Sequence, residues 1–203
     1  MQTLDTFLFG IYPYIAVTIF LLGSWLRYDH GAYTWRAGSS QMLSPGGMWF
    51  ASNVFHIGII GLICAHLYGK LLGSGINGGV LTVSAVFGIL ILIGGGILLF
   101  RRLTNVRVRS TSNRSDLLVI TLLVLLAVIG LLIKGLGDFT PTVMELYPDS
   151  FLSYMESIVW STRIHRALGW TMLVIFPFTR LVHIWSIPLE YLTRRYQIVR
   201  VRR

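Results

Sequence analysis

Five long apolar stretches follow one another along the chain, separated by polar, basic or glycine-rich segments. Each approaches the ~20 residues that a helix needs to cross a bilayer. They cover approximately residues 6–26, 48–72, 80–100, 117–136 and 163–188. The turn 73–79 is short enough to require an antiparallel return, and Pro141 and Pro148 are expected to break the chain before the fifth stretch. The pattern predicts an all-α membrane protein, a single domain over residues 1–203 built as a bundle of five transmembrane helices.

Composition agrees with a membrane protein, because 54% of the 203 residues are hydrophobic and only 12% are charged. Soluble domains carry roughly twice that charged share. The single cysteine, Cys64, excludes an internal disulfide, and no paired-cysteine motif indicates zinc, an iron–sulfur cluster or covalently attached haem. The first five residues lack the features of a signal peptide, so we expect the first apolar stretch to be retained.

The formal net charge of +9 reflects topology better than nucleic-acid binding, because the arginines cluster at the ends of apolar stretches. Arg27 and Arg36 follow the first stretch, and the segments 101–114 and 194–203 follow the third and fifth. Most acidic residues lie on the other side. The positive-inside rule therefore predicts an outer N-terminus and a cytoplasmic C-terminus.

Four histidines lie inside apolar stretches, His56 and His66 in the second and His165 and His183 in the fifth. An ionisable side chain in the hydrocarbon region is costly and requires a reason. One such histidine is commonly hydrogen-bonded to a neighbouring helix. Four of them, two on each of two helices, instead indicate axial ligands of haem iron in a bundle core.

Helical geometry constrains how these histidines pair. His56 and His66 differ in height by ~15 Å, whereas His165 and His183 should share one helix face at ~27 Å. Since the two helices run in opposite directions, His66 pairs with His165 towards the outside. His56 then pairs with His183 towards the cytoplasm. The unequal spacings require tilted helices or a bend at Pro177, so two haems are permitted but not demanded.

Residues around the histidines have two interpretations each. Arginine side chains close by could bind haem propionates or extend to the interface: Arg163, Arg166 and Arg180. Glycines could leave room for a flat macrocycle or allow close helix packing: Gly58, Gly61, Gly69 and Gly169.

The strings IYPYIA, GSWLRYDHGAYTWRAGSSQML, SNVFHIGIIG and RIHRALGWTMLVIFPFTRLVHIWSIPLEYLTRRYQIVR resemble the cytochrome b (gamma) subunit of membrane-bound respiratory nitrate reductase. The resemblance implies five transmembrane helices with two b haems in a prokaryotic cytoplasmic (inner) membrane. It implies that His66 and His165 bind the outer haem iron, and that His56 and His183 bind the inner one. Arg163 and Arg180 remain candidates for further haem contacts.

The resemblance also implies quinol as substrate, taken from the membrane quinone pool near the outer haem. Electrons would pass to an iron–sulfur (beta) subunit and a molybdenum catalytic (alpha) subunit on the cytoplasmic side, where nitrate is reduced. The segments 28–43 and 190–203 would face these partners. The connection between the second and third stretches is shorter than in enterobacterial members, which carry a quinol-linked lysine there. His66 and Lys70 are therefore the quinol-site candidates, and Lys70 is alternatively an interfacial anchor.

Two alternatives remain open. The same dihaem, quinol-oxidising module could serve another terminal reductase of the sulfite- or heterodisulfide-reductase type. A protein of a different class would be a haem-free membrane anchor or a small transporter that uses the histidines as a proton relay. Inverted repeats and broken helix pairs, the marks of such transporters, are not evident in the sequence.

Overall fold

The computed structural model describes residues 2–31, 44, 46–71 and 78–184, and these residues contain helices and turns but no strand. The helices are α1 Gln2–Asp5, α2 Tyr12–Gly31, α3 Met48–Leu71, α4 Gly78–Thr104, α5 Val106–Ser110, α6 Arg114–Leu146 and α7 Phe151–Ile175. A π-helical segment, Thr6–Ile11, joins α1 directly to α2. Shorter 3₁₀ turns cover Pro148–Ser150, Phe176–Phe178 and Arg180–Ile184. The predicted all-α fold is confirmed.

Among the described residues, four segments are long and apolar enough to cross a membrane: Thr3–His30, Met48–Gly69, Gly79–Thr104 and Arg114–Asp138. They match the first four predicted stretches to within four residues at each end. Helix α7 begins at Phe151, twelve residues before the predicted start of the fifth stretch, and ends at Ile175, halfway through it. It is less apolar than the other long helices, because Arg163, His165 and Arg166 fall within one turn. Residues 185–188 of that stretch lie outside the described part of the chain.

Pro141 does not break the chain as predicted, because α6 runs through it to Leu146. A proline inside a helix removes one backbone hydrogen bond, and hydroxyl groups can bond to carbonyls nearby. At Pro141 the carbonyl that loses its donor is that of Gly137, and the carbonyl of the preceding residue, Leu136, accepts hydrogen bonds from Thr140 Oγ1 at 3.1 Å and from the hydroxyl of Tyr154 on α7. The turn before α7 instead forms at Pro148–Ser150.

Pro177 has a larger effect on the last helical segment than the bend considered from the sequence. Helix α7 ends at Ile175, Pro177 lies in a 3₁₀ turn, and Thr179 is extended with φ −121° and ψ −180°. His183 follows in a separate 3₁₀ turn. The expectation that His165 and His183 share one face of a continuous helix is therefore wrong, because the proline ring lacks an N–H and clashes with the preceding turn.

Helices α3 and α4 approach each other at backbone distance. A Cβ on Gly94 would lie 2.5 Å from the backbone nitrogen of Phe55, and a Cβ on Gly58 would lie 2.9 Å from that of Ile91. A Cβ on Gly61 would overlap the ring of Phe87. Close helix packing is thus the role of Gly58 and Gly61, since small residues allow such contact between membrane helices.

The remaining helices extend this pair into a curved row. Helix α4 packs against α6, α6 against α7, and α7 against α2. Helix α3 carries His56 and His66, α7 carries His165, and the turn after α7 carries His183. Within the described residues, α3 and α7 make no extended backbone contact with each other. The space between α3 and α7 is where the histidine side chains meet.

Candidate functional site

A cavity of about 660 Å³ lies between α3, α4, α6 and α7. Its size falls within the roughly 300–1,000 Å³ of typical ligand and cofactor sites. His66 of α3 and His165 of α7 both line it, and most of the remaining wall is apolar. The two histidines predicted to form the outer pair therefore share one chamber.

Two glycines keep this chamber open. At Gly169 on α7, a Cβ would have no atom within 4 Å, so the wall is open there. At Gly130 on α6, a Cβ would lie 3.3 Å from Cε1 of His165, so the imidazole packs directly against the glycine backbone. Of the two roles considered from the sequence for Gly169, the structure supports the one that leaves room for a ligand. Gly130 leaves room for the imidazole of His165.

The two imidazoles of the outer pair are held differently. Nδ1 of His66 lies 2.9 Å from the Leu62 carbonyl, and because a carbonyl only accepts, Nδ1 carries the hydrogen. The lone pair of His66 is therefore on Nε2. Nδ1 of His165 is buried beside Gly130 of α6 and makes no hydrogen bond of normal geometry within the described residues, but the imidazole interacts with the Leu126 carbonyl of the same helix. A hydrogen bond within α3 thus orients His66, whereas packing against α6 positions His165.

The other two histidines also meet. The ring centroids of His56 and His183 lie 6.3 Å apart, with the planes at 74°. Nδ1 of His56 donates to the Ser52 carbonyl at 2.7 Å, and Nδ1 of His183 donates to the Arg180 carbonyl.

The structure brings the histidines together in the pairs that helix direction predicts. His66 meets His165 in the cavity, and His56 faces His183. In the described part of the chain no group of three or more histidine, cysteine or acidic side chains could hold a metal ion. Each pair alone offers two nitrogen ligands. Two ligands suffice only for a metal whose other coordination positions are filled by a cofactor. The ligand roles stay a prediction.

Two cations line the cavity. Arg166 stacks over the ring of Phe9, with Cζ 5.2 Å from the ring centroid, and Lys134 forms an ion pair with Asp138. Because Asp138 offsets the charge of Lys134, Arg166 is the cation beside this largely apolar chamber that favours a ligand carrying carboxylates. The sequence considered Arg166 in this role but did not indicate Lys134.

The two arginines predicted to contact a cofactor have carboxylate partners in the protein. Arg163 forms an ion pair with Asp5, and its Cζ lies 5.3 Å from the centroid of the Phe9 ring. Nε of Arg180 lies 2.9 Å from Oδ1 of the buried Asp116. Their predicted haem contacts stay a prediction. The side chain of Lys70 lies outside the described part of the structure.

Sequence reasoning did not assign Gly130, Arg27 or Asp116 to the site. Arg27 was interpreted as an orientation signal at the end of a span, and Asp116 only as the residue before the fourth stretch. Arg27 in fact bonds to backbone carbonyls 150 and 152 residues away. A long-range contact of this kind leaves no periodic signal in a single sequence.

Comparison with known proteins gives one consistent result. The family model described as nitrate reductase gamma subunit matches residues 5–202. The chain is 44% identical over 225 residues to the Respiratory nitrate reductase 2 gamma chain and to the Respiratory nitrate reductase 1 gamma chain of Escherichia coli (strain K12), with 100% of each protein covered. It is 34% identical to the Nitrate reductase gamma chain of Bacillus subtilis (strain 168), covering 96% of this chain and 97% of that one. The resemblance carried by the sequence motifs is confirmed, and the chain belongs to the nitrate reductase gamma subunit family.

Proposed function

We propose that this chain is the quinol-oxidising, electron-transfer subunit of a respiratory nitrate reductase. It takes electrons from quinol near an outer b haem and passes them through an inner b haem to a cytoplasmic iron–sulfur subunit. The observation that carries the proposal is the meeting of four histidines in two pairs across the space between α3 and α7. Family membership supports the same assignment.

The proposal includes α7 as the fifth membrane span, which completes a single dihaem domain. Contacts in the middle of α7 and just beyond its end support this. Arg163 pairs with Asp5 near the start of the first span, and the Thr179 carbonyl accepts a hydrogen bond from Arg27 near its end. The segment between Asp5 and Arg27 is long and apolar enough to cross the membrane. The segment from Arg163 to Thr179 contacts both of these residues, so it spans the same thickness of the bilayer.

Charge supports the proposed orientation. Arg102, Asp116 and Arg180 lie in one ion-pair cluster, so the α4–α6 junction and the segment after α7 share one end of the molecule. The basic segment 101–114 belongs to that end. By the positive-inside rule this end is cytoplasmic and the N-terminus is outside, in the inner membrane of a prokaryote.

The residues present fit two haems. A porphyrin supplies four of the six iron ligands, so each site needs only two imidazoles from the protein. His56, His66 and His183 each donate Nδ1–H to a backbone carbonyl. Metal-binding histidines are typically oriented in this way, with the other ring nitrogen left for the metal. The separation of α3 from α7 and the glycine walls of the cavity leave space for a flat ring.

When bound, the two haems supply one-electron transfer between the outer and cytoplasmic sides. The chain holds the imidazoles at two levels of the bilayer and lines the outer chamber with apolar side chains. Arg166 adds positive charge there, suited to binding the carboxylates of the ring, whereas the charge of Lys134 is offset by Asp138. Quinol loses two electrons and two protons in becoming quinone. Release of the protons outside while the electrons move inward would build a membrane potential.

The proposed partners are an iron–sulfur (beta) subunit and a molybdenum catalytic (alpha) subunit, which reduces nitrate on the cytoplasmic side. Segments 28–43 and 190–203 are proposed to face them, and most of these residues lie outside the described part of the chain. His66 and Lys70 are the proposed quinol-site residues. The relatives named as nitrate reductase chains favour this terminal enzyme over a sulfite- or heterodisulfide-reductase type.

The deciding experiment is a reduced-minus-oxidised spectrum of the purified full chain, with haem quantified per polypeptide and a quinol analogue as reductant. We expect two b-type haems per chain, both reduced by the quinol. Absence of haem from folded protein would overturn the proposal and favour the proton-relay alternative. Two haems that quinol does not reduce would retain the ligand assignment and remove quinol oxidation.

A further inference from the structure

The inner histidine pair depends on a segment of irregular backbone. His183 lies in the 3₁₀ turn Arg180–Ile184, after Pro177 has ended the regular helix. A proline leaves nearby carbonyls without their usual helical donors. Within a membrane protein each unsatisfied carbonyl is costly, so another part of the molecule must supply donors.

Arg27, near the end of α2, supplies them. Its Nη1 donates to the Pro177 carbonyl at 2.6 Å and to the Thr179 carbonyl at 2.8 Å. Both bonds carry a full positive charge on the donor, which makes them stronger than neutral hydrogen bonds. One guanidinium therefore binds both sides of Phe178, in the middle of the irregular segment.

Gly23 permits the approach. It lies one helical turn before Arg27 on the same face of α2. A Cβ on Gly23 would lie 2.8 Å from Cγ of Pro177 and 3.0 Å from its Cβ, which is too close for a normal contact. The proline ring therefore lies against the glycine, and this brings the carbonyls within reach of Arg27.

The other side of the segment is anchored separately. Arg180 binds the buried Asp116 of α6, and Arg102 of α4 lies 3.6 Å from the same carboxylate. Phe176 and Val182 are buried on either side of the turn, and the Phe176 ring packs edge-on against Phe20 at 4.8 Å. These contacts restrict the 3₁₀ turn that carries His183. The bonds from Arg27 to the carbonyls of Pro177 and Thr179 restrict the residues just before that turn.

We propose that Arg27 is a positioning residue for His183: through the Pro177 and Thr179 carbonyls it sets the angle and distance at which His183 faces His56. This inference rests on the proposed function, because it assumes that His56 and His183 bind the inner haem. Arg27 does not touch the cofactor itself. Its effect should therefore be confined to the inner haem, with the outer haem in the His66–His165 cavity unchanged.

The test compares Arg27→Met and Arg27→Lys with the wild-type chain in the intact complex. In Arg27→Met we expect haem to fall from two towards one per chain, or the inner haem to change its electron paramagnetic resonance signal and midpoint potential. Arg27→Lys should recover part of the wild-type signal, because an ammonium group can donate to a carbonyl but lacks the guanidinium fork. Arg107→Met, which removes an exposed arginine from α5, is the matched control for loss of charge.

A second measurement is independent of haem. In chain produced without haem synthesis, backbone hydrogen exchange over residues 176–184 should be roughly tenfold faster in Arg27→Met than in wild type. Two haems with an unchanged inner signal in Arg27→Met would overturn the inference and leave the proposed function intact. If the wild-type chain holds no haem, the proposed function fails. In that case, unchanged exchange in Arg27→Met would show that Arg27 does not order residues 176–184. Faster exchange would show that it orders the segment, but the haem-positioning role would still be overturned.

Discussion

The two histidine pairs are built on different kinds of backbone. His66 and His165 lie on regular α-helices and line a cavity bounded by four helices. His56 also lies on a regular helix, but His183 lies in a 3₁₀ turn after a proline break. The first pair follows from helix packing alone, whereas the second requires specific donors and an ion pair from distant parts of the chain.

This difference suggests where each site is sensitive to substitution. The outer site should respond to side chains that fill its chamber, because its two histidines are held by continuous helices. The inner site should respond to changes that alter the backbone near Pro177, even where the altered residue does not touch the histidine. Substitutions can therefore separate the two sites.

The largest expected effect comes from removing a ligand. His165→Ala should remove the outer haem, leave one haem per chain and abolish reduction by quinol. His183→Ala should remove the inner haem and block electron delivery to the partner subunit. Since substitutions of groups that merely orient a metal ligand cost ~10–100-fold in affinity or activity, loss of a ligand should cost more. Haem per chain and quinol-driven reduction are measured, and unchanged haem content in both variants would defeat the ligand assignment.

Filling the outer chamber should have the next largest effect. Gly169→Leu adds a side chain where the wall is open, so we expect at least half of the outer haem to be lost with the inner haem retained. Gly96→Leu is the matched control, because a Cβ there also meets no atom within 4 Å but Gly96 does not line the cavity. Haem spectra of both variants are recorded, and equal amounts of outer haem in the two would contradict the predicted site.

Replacing Pro177, which ends α7, should affect only the inner histidine pair, His56 and His183. Pro177→Ala restores a backbone N–H and allows α7 to continue, which would carry His183 to ~27 Å from His165 along the axis, beyond the ~15 Å that separates His56 from His66. We expect a shifted midpoint potential or partial loss of the inner haem, with the outer haem unchanged, measured by redox titration. An equal change in both haems would show that the break supports the whole bundle and not the inner site in particular.

The smallest expected effect concerns charge at the outer chamber. Lys134→Gln leaves Asp138 without its ion-pair partner, and Asp138→Asn leaves Lys134 unpaired. Haem content should stay at two per chain. The outer midpoint potential should fall in the first variant and rise in the second, because net charge near a haem shifts its potential. Shifts of the same sign would indicate a change of packing and not of charge.

The amino-acid sequence by itself determined the helical class, four of the five predicted apolar spans and the pairing of the histidines by height. These properties follow from hydropathy, helix rise and chain direction, which are all one-dimensional. The motifs likewise sufficed to indicate the family. Among the residues near the histidines, the sequence correctly considered helix packing for Gly58 and open space for Gly169, but it could not choose between the two roles at either position.

Only the tertiary structure decided how the irregular parts are held. Pro141 stays within α6, next to carbonyl bonds from Thr140 and Tyr154, whereas Pro177 ends α7 beside Gly23 and Arg27. Both prolines lack the same N–H, so the residue type alone cannot distinguish them. The outcome depends on which distant side chains reach the backbone, and the Arg27 contacts join residues 150 and 152 positions apart. Such partners are chosen by packing in three dimensions, which no local pattern in the chain encodes.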